Sequence, residues 1–169
     1  RIDVLMDPVL GNLSAHQNVE TGELAKSLQG ETAIASARIA YQEFKHSLQT
    51  KRWAALAEKG ACKQRVLWAS TSTKNPAYSD IKYVEPLIGS DTINTLPVQT
   101  LDAYRDHGKP ALRINEDVDH AHQVLNGLAE LKINLDEVTQ ELENEGVEKF
   151  SYAYQQLMAH LEEKVRVRK

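Results

Sequence analysis

No stretch of the chain approaches the roughly 18 consecutive apolar residues of a membrane span, so no membrane association is expected. Cysteine is nearly absent: the single Cys62 excludes an internal disulfide and fits a reducing, cytoplasmic setting. With no histidine near it in sequence and an apolar run just after it, Cys62 reads as a small apolar filler rather than a nucleophile. Excess positive charge is also missing. The formal net charge of −4 argues against a nucleic-acid partner. The short basic tail Lys164-Val165-Arg166-Val167-Arg168-Lys169 reads as a helix end or a disordered terminus, since cations are favoured at a helix carboxyl end. There is no initiator methionine, no signal-peptide pattern, no repeat, no low-complexity tract and no strand pattern before residue 65. What is present, 41% hydrophobic and 26% charged residues, is ordinary for a globular chain.

The pattern is mostly helical. Residues 1–30, with Pro8, Gly11, Gly22 and Gly30, predict a loop with short helices around Asp7–Leu13 and Glu23–Ser27. Residues 31–49 place Ala33, Ala37, Ala40, Tyr41, Phe44 and Leu48 on one face at helical spacing, and a shorter helix Arg52–Lys59 closes at Gly60. Val66, Leu67, Trp68 and Ala69 form a continuous apolar run of the kind a parallel strand buried on both faces shows. A helix is expected over Asp80–Ile88, capped by Asp80 and stopped by Gly89, then a β-branched strand Thr92–Leu96 ended by Pro97, then a helix Val98–His107 stopped by Gly108. This alternation is that of βα units and predicts an α/β fold with a parallel sheet.

After the breaker Gly108-Lys109-Pro110 the chain changes character. Asn115–Lys132 carries Val118, Ala121, His122, Leu125, Leu128 and Ala129 at helical spacing, followed by a helix with Val138 and Leu142 and a long one from Gly146 bearing Val147, Phe150, Tyr154, Leu157, Met158 and Leu161. Residues 1–110 are therefore read as βα units, and 111–169 as a three-helix extension packed outside them.

The chemistry concentrates just after the first strand, where Ser70-Thr71-Ser72-Thr73-Lys74 leads into the turn Asn75-Pro76. At the carboxyl end of a parallel strand, such a run is placed as an anion site. An ordinary hydroxyl-rich loop that caps the next helix accounts for it equally well.

The same residues carry a resemblance. Trp68-Ala69-Ser70-Thr71-Ser72-Thr73-Lys74-Asn75-Pro76-Ala77-Tyr78-Ser79-Asp80, then Tyr83-Val84-Glu85 and Asp91-Thr92-Ile93-Asn94-Thr95-Leu96-Pro97, is similar to the last part of the longer bacterial transaldolases. Arg1-Ile2-Asp3, Ala37-Arg38-Ile39-Ala40-Tyr41-Gln42, Leu101-Asp102-Ala103 and Asp106-His107-Gly108 match in order as well, so the similarity covers nearly the whole chain. It implies the carboxyl-terminal part of a (β/α)8 TIM barrel plus a helical extension. A complete barrel needs about 250 residues, and this chain has 169.

The resemblance further implies transfer of a dihydroxyacetone unit between sugar phosphates in the pentose phosphate pathway. The chemistry runs through a lysine Schiff base, with no dissociable cofactor. That lysine belongs to a mid-barrel strand with no counterpart here, so no catalytic residue is expected in this chain and its partner is the missing amino-terminal part of the barrel. Arg1, Ser70, Ser72 and Lys74 are the implied phosphate contacts; Arg1 is open to a second reading as a plain terminus, Ser72 as a turn cap and Lys74 as a surface lysine. Two further readings stand: a non-catalytic sugar-phosphate-binding or assembly fragment, and a related Schiff-base aldolase. A metal site is not expected, because His120 and His122, two residues apart, point to different sides of a helix. His122 is expected on the packing stripe, His16, His46, His120 and His160 toward solvent, and His107 at a helix end.

Overall fold

Short-range periodicity builds the two strands and most helices of the computed structural model, which describes residues 2–16 and 18–167. In order, these are α1 (Ile2–His16), α2 (Val19–Ser27), α3 (Thr32–Ser47), α4 (Lys51–Ala57), β1 (Val66–Ala69), a 3-10 turn (Glu85–Leu87), β2 (Thr92–Thr95), α5 (Val98–His107), α6 (Val118–Glu130) and α7 (Leu135–Val167). They fall into two compact units, one from Asp3 to Ile133 and one from Asn134 onward.

In the first unit β1 and β2 pair in parallel, with Val66 opposite Thr92 and Ala69 opposite Thr95. Val66 and Trp68 turn toward a core of Ile34, Tyr41, Leu87 and Ile114. Leu67, by contrast, is 52% exposed, so β1 is covered on one face rather than both. A pair of strands has one layer of helix to bury against, and the residues that alternate away from it stay open. Two hydrogen bonds lock this core: Trp68 Nε1 donates to the Leu87 carbonyl at 3.1 Å, and the Tyr41 hydroxyl donates to the Ser90 carbonyl at 2.9 Å. Gly89 is required where it stands, because a Cβ there would collide with Ile114 Cγ2.

Several expectations need correction. Ile2–His16 and Val19–Ser27 are helices rather than a loop with short helices: Asp3, Met6 and Leu10 are buried at helical spacing, and their packing outweighs the bond lost at Pro8. The buried face of α3 is broader and rotated from the alanine stripe; Ile34, Ala35, Arg38 and Tyr41 are buried and Ala40 is exposed. The cause is that α3 is covered on two sides, by α6 and by the 3-10 turn with its core.

Residues 80–88 do not form an α-helix. Pro86 has no N–H, and the segment closes on three-residue bonds such as Val84 N to Ile81 O and Leu87 N to Val84 O. Its first turn is held by Ser79, whose Oγ accepts from Ile81 N at 3.4 Å, and not by Asp80. In α6 the packed residues are Ala121, Val124, Gly127 and Leu128, and His122 is exposed. Cys62 is likewise exposed and fills no core.

The second unit holds a single helix of 33 residues, so the described residues from 111 on hold two helices and not three. One interior glycine, Gly146, costs about 1 kcal/mol, too little to break a helix of that length. Asn134 starts it, its Oδ1 accepting from Asp136 N at 3.0 Å. No helix among the described residues is long and apolar enough to cross a membrane.

Candidate functional site

The carboxyl end of β1 breaks sharply. Ser70 takes a left-handed backbone with φ of 58°, unusual for a residue with a side chain. The strand thereby turns into the hydroxyl run instead of extending beyond β2. Thr71 is buried and its Oγ1 donates to Asn94 Oδ1 at 2.7 Å, which ties the loop to β2. Thr73 Oγ1 donates to the Ser79 carbonyl at 2.8 Å, and Asn75 Oδ1 accepts from Ala77 N at 2.9 Å, an Asx turn that closes the loop over Pro76.

With Thr71 and Thr73 committed to the protein, Ser70, Ser72 and Lys74 are the members of the run left to meet a ligand. All three line one cavity of about 580 Å³, together with Trp68, Asp3 and Tyr83. Among the described lysines, ion pairs form at Lys63, Lys82 and Lys149 and not at Lys74. A hydroxyl pair beside a lysine without a carboxylate partner is a suitable surround for an oxyanion. Of the sequence-predicted residues the structure thus gathers Ser70, Ser72 and Lys74; Arg1 lies outside the described residues.

Sequence reasoning missed a second polar group on the same cavity. Asp3 is 4% exposed and accepts from Ala33 N at 2.9 Å and from the Tyr83 hydroxyl at 2.8 Å. Asp7, one helical turn on, accepts from Gly30 N at 2.7 Å and from the Tyr78 hydroxyl at 2.8 Å. Burial pushes the Asp3 carboxyl above its ordinary value, and the bonds from Tyr83 and Ala33 oppose that shift. Both phenols are pushed up, first by burial and then by the carboxylates they serve. Lys82 completes the surround, pairing with Glu31 at 3.1 Å and standing 4.8 Å above the Tyr78 ring. The one available signal was the spacing of Asp3 and Asp7, which puts two acids on one helix face.

The histidines stand apart from this cavity. His107 bonds Asp80 at 2.9 Å and Asp106 at 3.2 Å on the surface, and these carboxylates raise its pKa. Among the described residues no group of three or more histidine, cysteine or acidic side chains is placed to hold a metal ion.

Comparison with known proteins gives this geometry a context. The model of the Transaldolase/Fructose-6-phosphate aldolase family matches residues 8–161. A transaldolase of Trichodesmium erythraeum is 48% identical over 143 residues, which are 83% of this chain and 38% of that protein. Transaldolase 2 of Nostoc sp. is 49% identical over 142 residues, 83% of this chain and 37% of that protein. The transaldolase of Thiobacillus denitrificans is 42% identical over 161 residues, 95% of this chain and 43% of that protein. The chain therefore spans about two fifths of the length of the curated relatives it matches. It belongs to the transaldolase/fructose-6-phosphate aldolase family.

Proposed function

We propose that this chain is the carboxyl-terminal, phosphate-binding part of a transaldolase built as a (β/α)8 TIM barrel. In this reading β1 and β2 are the last two barrel strands, residues 1–110 are the last βα units, and 111–169 are a helical extension. The intact enzyme moves a dihydroxyacetone unit from a ketose phosphate to an aldose phosphate, in the cytoplasm and in the pentose phosphate pathway. The electron sink is a lysine Schiff base from the amino-terminal part of the barrel, and no dissociable cofactor takes part. Arg1, Ser70, Ser72 and Lys74 hold the substrate phosphate.

The observation that supports this best is the grouping of Ser70, Ser72 and Lys74 on one cavity at the carboxyl end of a parallel strand, where barrel enzymes bind their substrates. Lys74 suits an anion contact: it is exposed and stands in a hydroxyl-rich loop, with three donors on a flexible stem.

The phosphate is held in ground and transition states alike, so its contacts act mainly on KM. In the full-length protein, Ser70→Ala or Lys74→Ala should raise KM for phosphorylated substrates about ten- to a hundredfold, the worth of one charge-assisted bond of roughly 1.5–3 kcal/mol, with a smaller effect on kcat. Unchanged kinetics in both variants would remove the loop from the site. Because the family includes fructose-6-phosphate aldolases, a second reading is an aldolase in which no aldose acceptor is required; release of dihydroxyacetone from fructose 6-phosphate without an acceptor would select it.

A further inference from the structure

Two carboxylates on α1 gather donors from two separate stretches of chain, residues 30–33 and 78–83. Asp3 takes one from the start of α3, Ala33 N, and one from Tyr83; Asp7 takes one from Gly30 N, just before α3, and one from Tyr78. The two tyrosines lie 71 and 80 residues from their acceptors, on the turn that continues the hydroxyl loop. That turn is in turn bonded to the loop, by Thr73 Oγ1 to the Ser79 carbonyl and by the Asx turn at Asn75. Thr71 ties the other end to β2. Hydrogen bonds therefore link α1 through Tyr78 and its neighbour Ser79 to the backbone that presents Ser70, Ser72 and Lys74, and Tyr83 ties the far end of the same turn to α1.

Local packing is shaped around the same bonds. Gly30 has φ of +71°, and a Cβ there would stand 2.8–2.9 Å from the Tyr78 ring. Only a residue without a side chain lets the ring reach Asp7 while the Gly30 N–H also reaches it. Tyr83 packs against the core beneath the sheet, and its partner Asp3 is almost fully buried. Buried charge-assisted bonds of this kind fix geometry more tightly than a solvated loop can.

We propose that Tyr78 and Tyr83, acting through Asp7 and Asp3, are positioning residues that set the hydroxyl loop of residues 70–74 against α1 for phosphate binding. The inference rests on the phosphate reading of that loop. Neither phenol need touch the substrate; each holds the backbone from which the phosphate contacts project. A displacement of about 1 Å in such contacts is enough to weaken binding about tenfold or more.

The test uses the full-length protein, the four single variants Tyr78→Phe, Tyr83→Phe, Asp7→Asn and Ser70→Ala, and one double variant. Phenylalanine keeps the rings and removes only the hydroxyl, so the packing is kept and the cost in stability is confined to one hydrogen bond. Each tyrosine variant should raise KM for fructose 6-phosphate about tenfold with kcat within about twofold, and leave KM for unphosphorylated fructose unchanged. Tyr78→Phe combined with Asp7→Asn should match the more severe single variant, because both act on the one Tyr78–Asp7 bond, the asparagine by removing its charge. A lower melting temperature with KM unchanged in both tyrosine variants, while Ser70→Ala raises KM, would overturn the positioning role and leave the phosphate site standing. If Ser70→Ala also leaves KM unchanged, the phosphate reading falls and this inference with it.

Discussion

The two compact units treat apolar side chains in opposite ways. Between Asp3 and Ile133, Met6, Leu10, Ile114 and Leu128 are buried to within 1%. In α7, Val147, Phe150, Tyr154 and Leu157 are more than half exposed, Phe150 by 82%. The first unit closes on its own core; the stability of α7 comes from local terms, namely its Asn134 start, acidic residues in its first turn, basic ones in its last and the Lys149–Glu145 pair. Such terms are worth tenths of a kcal/mol each, whereas a buried leucine is worth several. The chain thus holds a framework that can present a site and a helix whose apolar stripe is spent on nothing within its own unit.

The sharpest way to break this comparison is truncation. Leu128→Ala, in the first unit, should cost about 2–5 kcal/mol in denaturant unfolding of this chain, while Phe150→Ala should stay within about 0.5 kcal/mol. Equal costs would mean that α7 is part of the core.

A smaller effect is expected at the carboxylate–phenol pairs. The Asp3 pKa in the folded protein is raised above 3.8 by burial, so its contribution to stability is present below that value and is lost as pH rises through the folded pKa. Tyr83 limits that loss by donating to the charged form. Tyr83→Phe should therefore destabilise by roughly 1–3 kcal/mol near neutrality and progressively less on acidification toward pH 4. A cost that does not shrink with acid would show that the phenol acts by packing alone.

The smallest effect concerns the surface link between α5 and the turn at Asp80. Hydrogen bonds from His107 to Asp80 and Asp106 raise its pKa above 6.5. Its contribution is thus complete below 6.5 and lost as pH rises through the folded value. The difference in Tm between wild type and His107→Gln should be greatest at acidic pH and vanish in mild alkali; a difference independent of pH would contradict the link.

What was legible in the sequence follows from distance along the chain. β1, β2 and α5 were readable because their signals are local: an apolar run, β-branched residues bounded by proline, and a helix between Pro97 and Gly108. The loop from Ser70 to Lys74 stood out by composition, and Ser70, Thr71, Ser72 and Lys74 line one cavity. The 3-10 turn was misread because helix periodicity around Pro86 ignored the missing donor. The roles of Asp3, Asp7, Tyr78 and Tyr83 were not legible, since each bond joins residues 71 or 80 positions apart. The breadth of the α3 interface was hidden for the same reason: its cover comes from α6 and from the turn at Glu85–Leu87, far along the chain.

The central claim is that this chain holds phosphate and does not form the covalent intermediate, and trapping tests it most directly. This chain is incubated with fructose 6-phosphate and borohydride, and each lysine is then inspected by mass spectrometry. The account predicts no reduced sugar adduct on Lys74 or on any other lysine of the chain, because the Schiff-base lysine is assigned to the amino-terminal part of the barrel. A stoichiometric adduct on Lys74 would contradict it, placing the covalent chemistry on the loop assigned here to the phosphate.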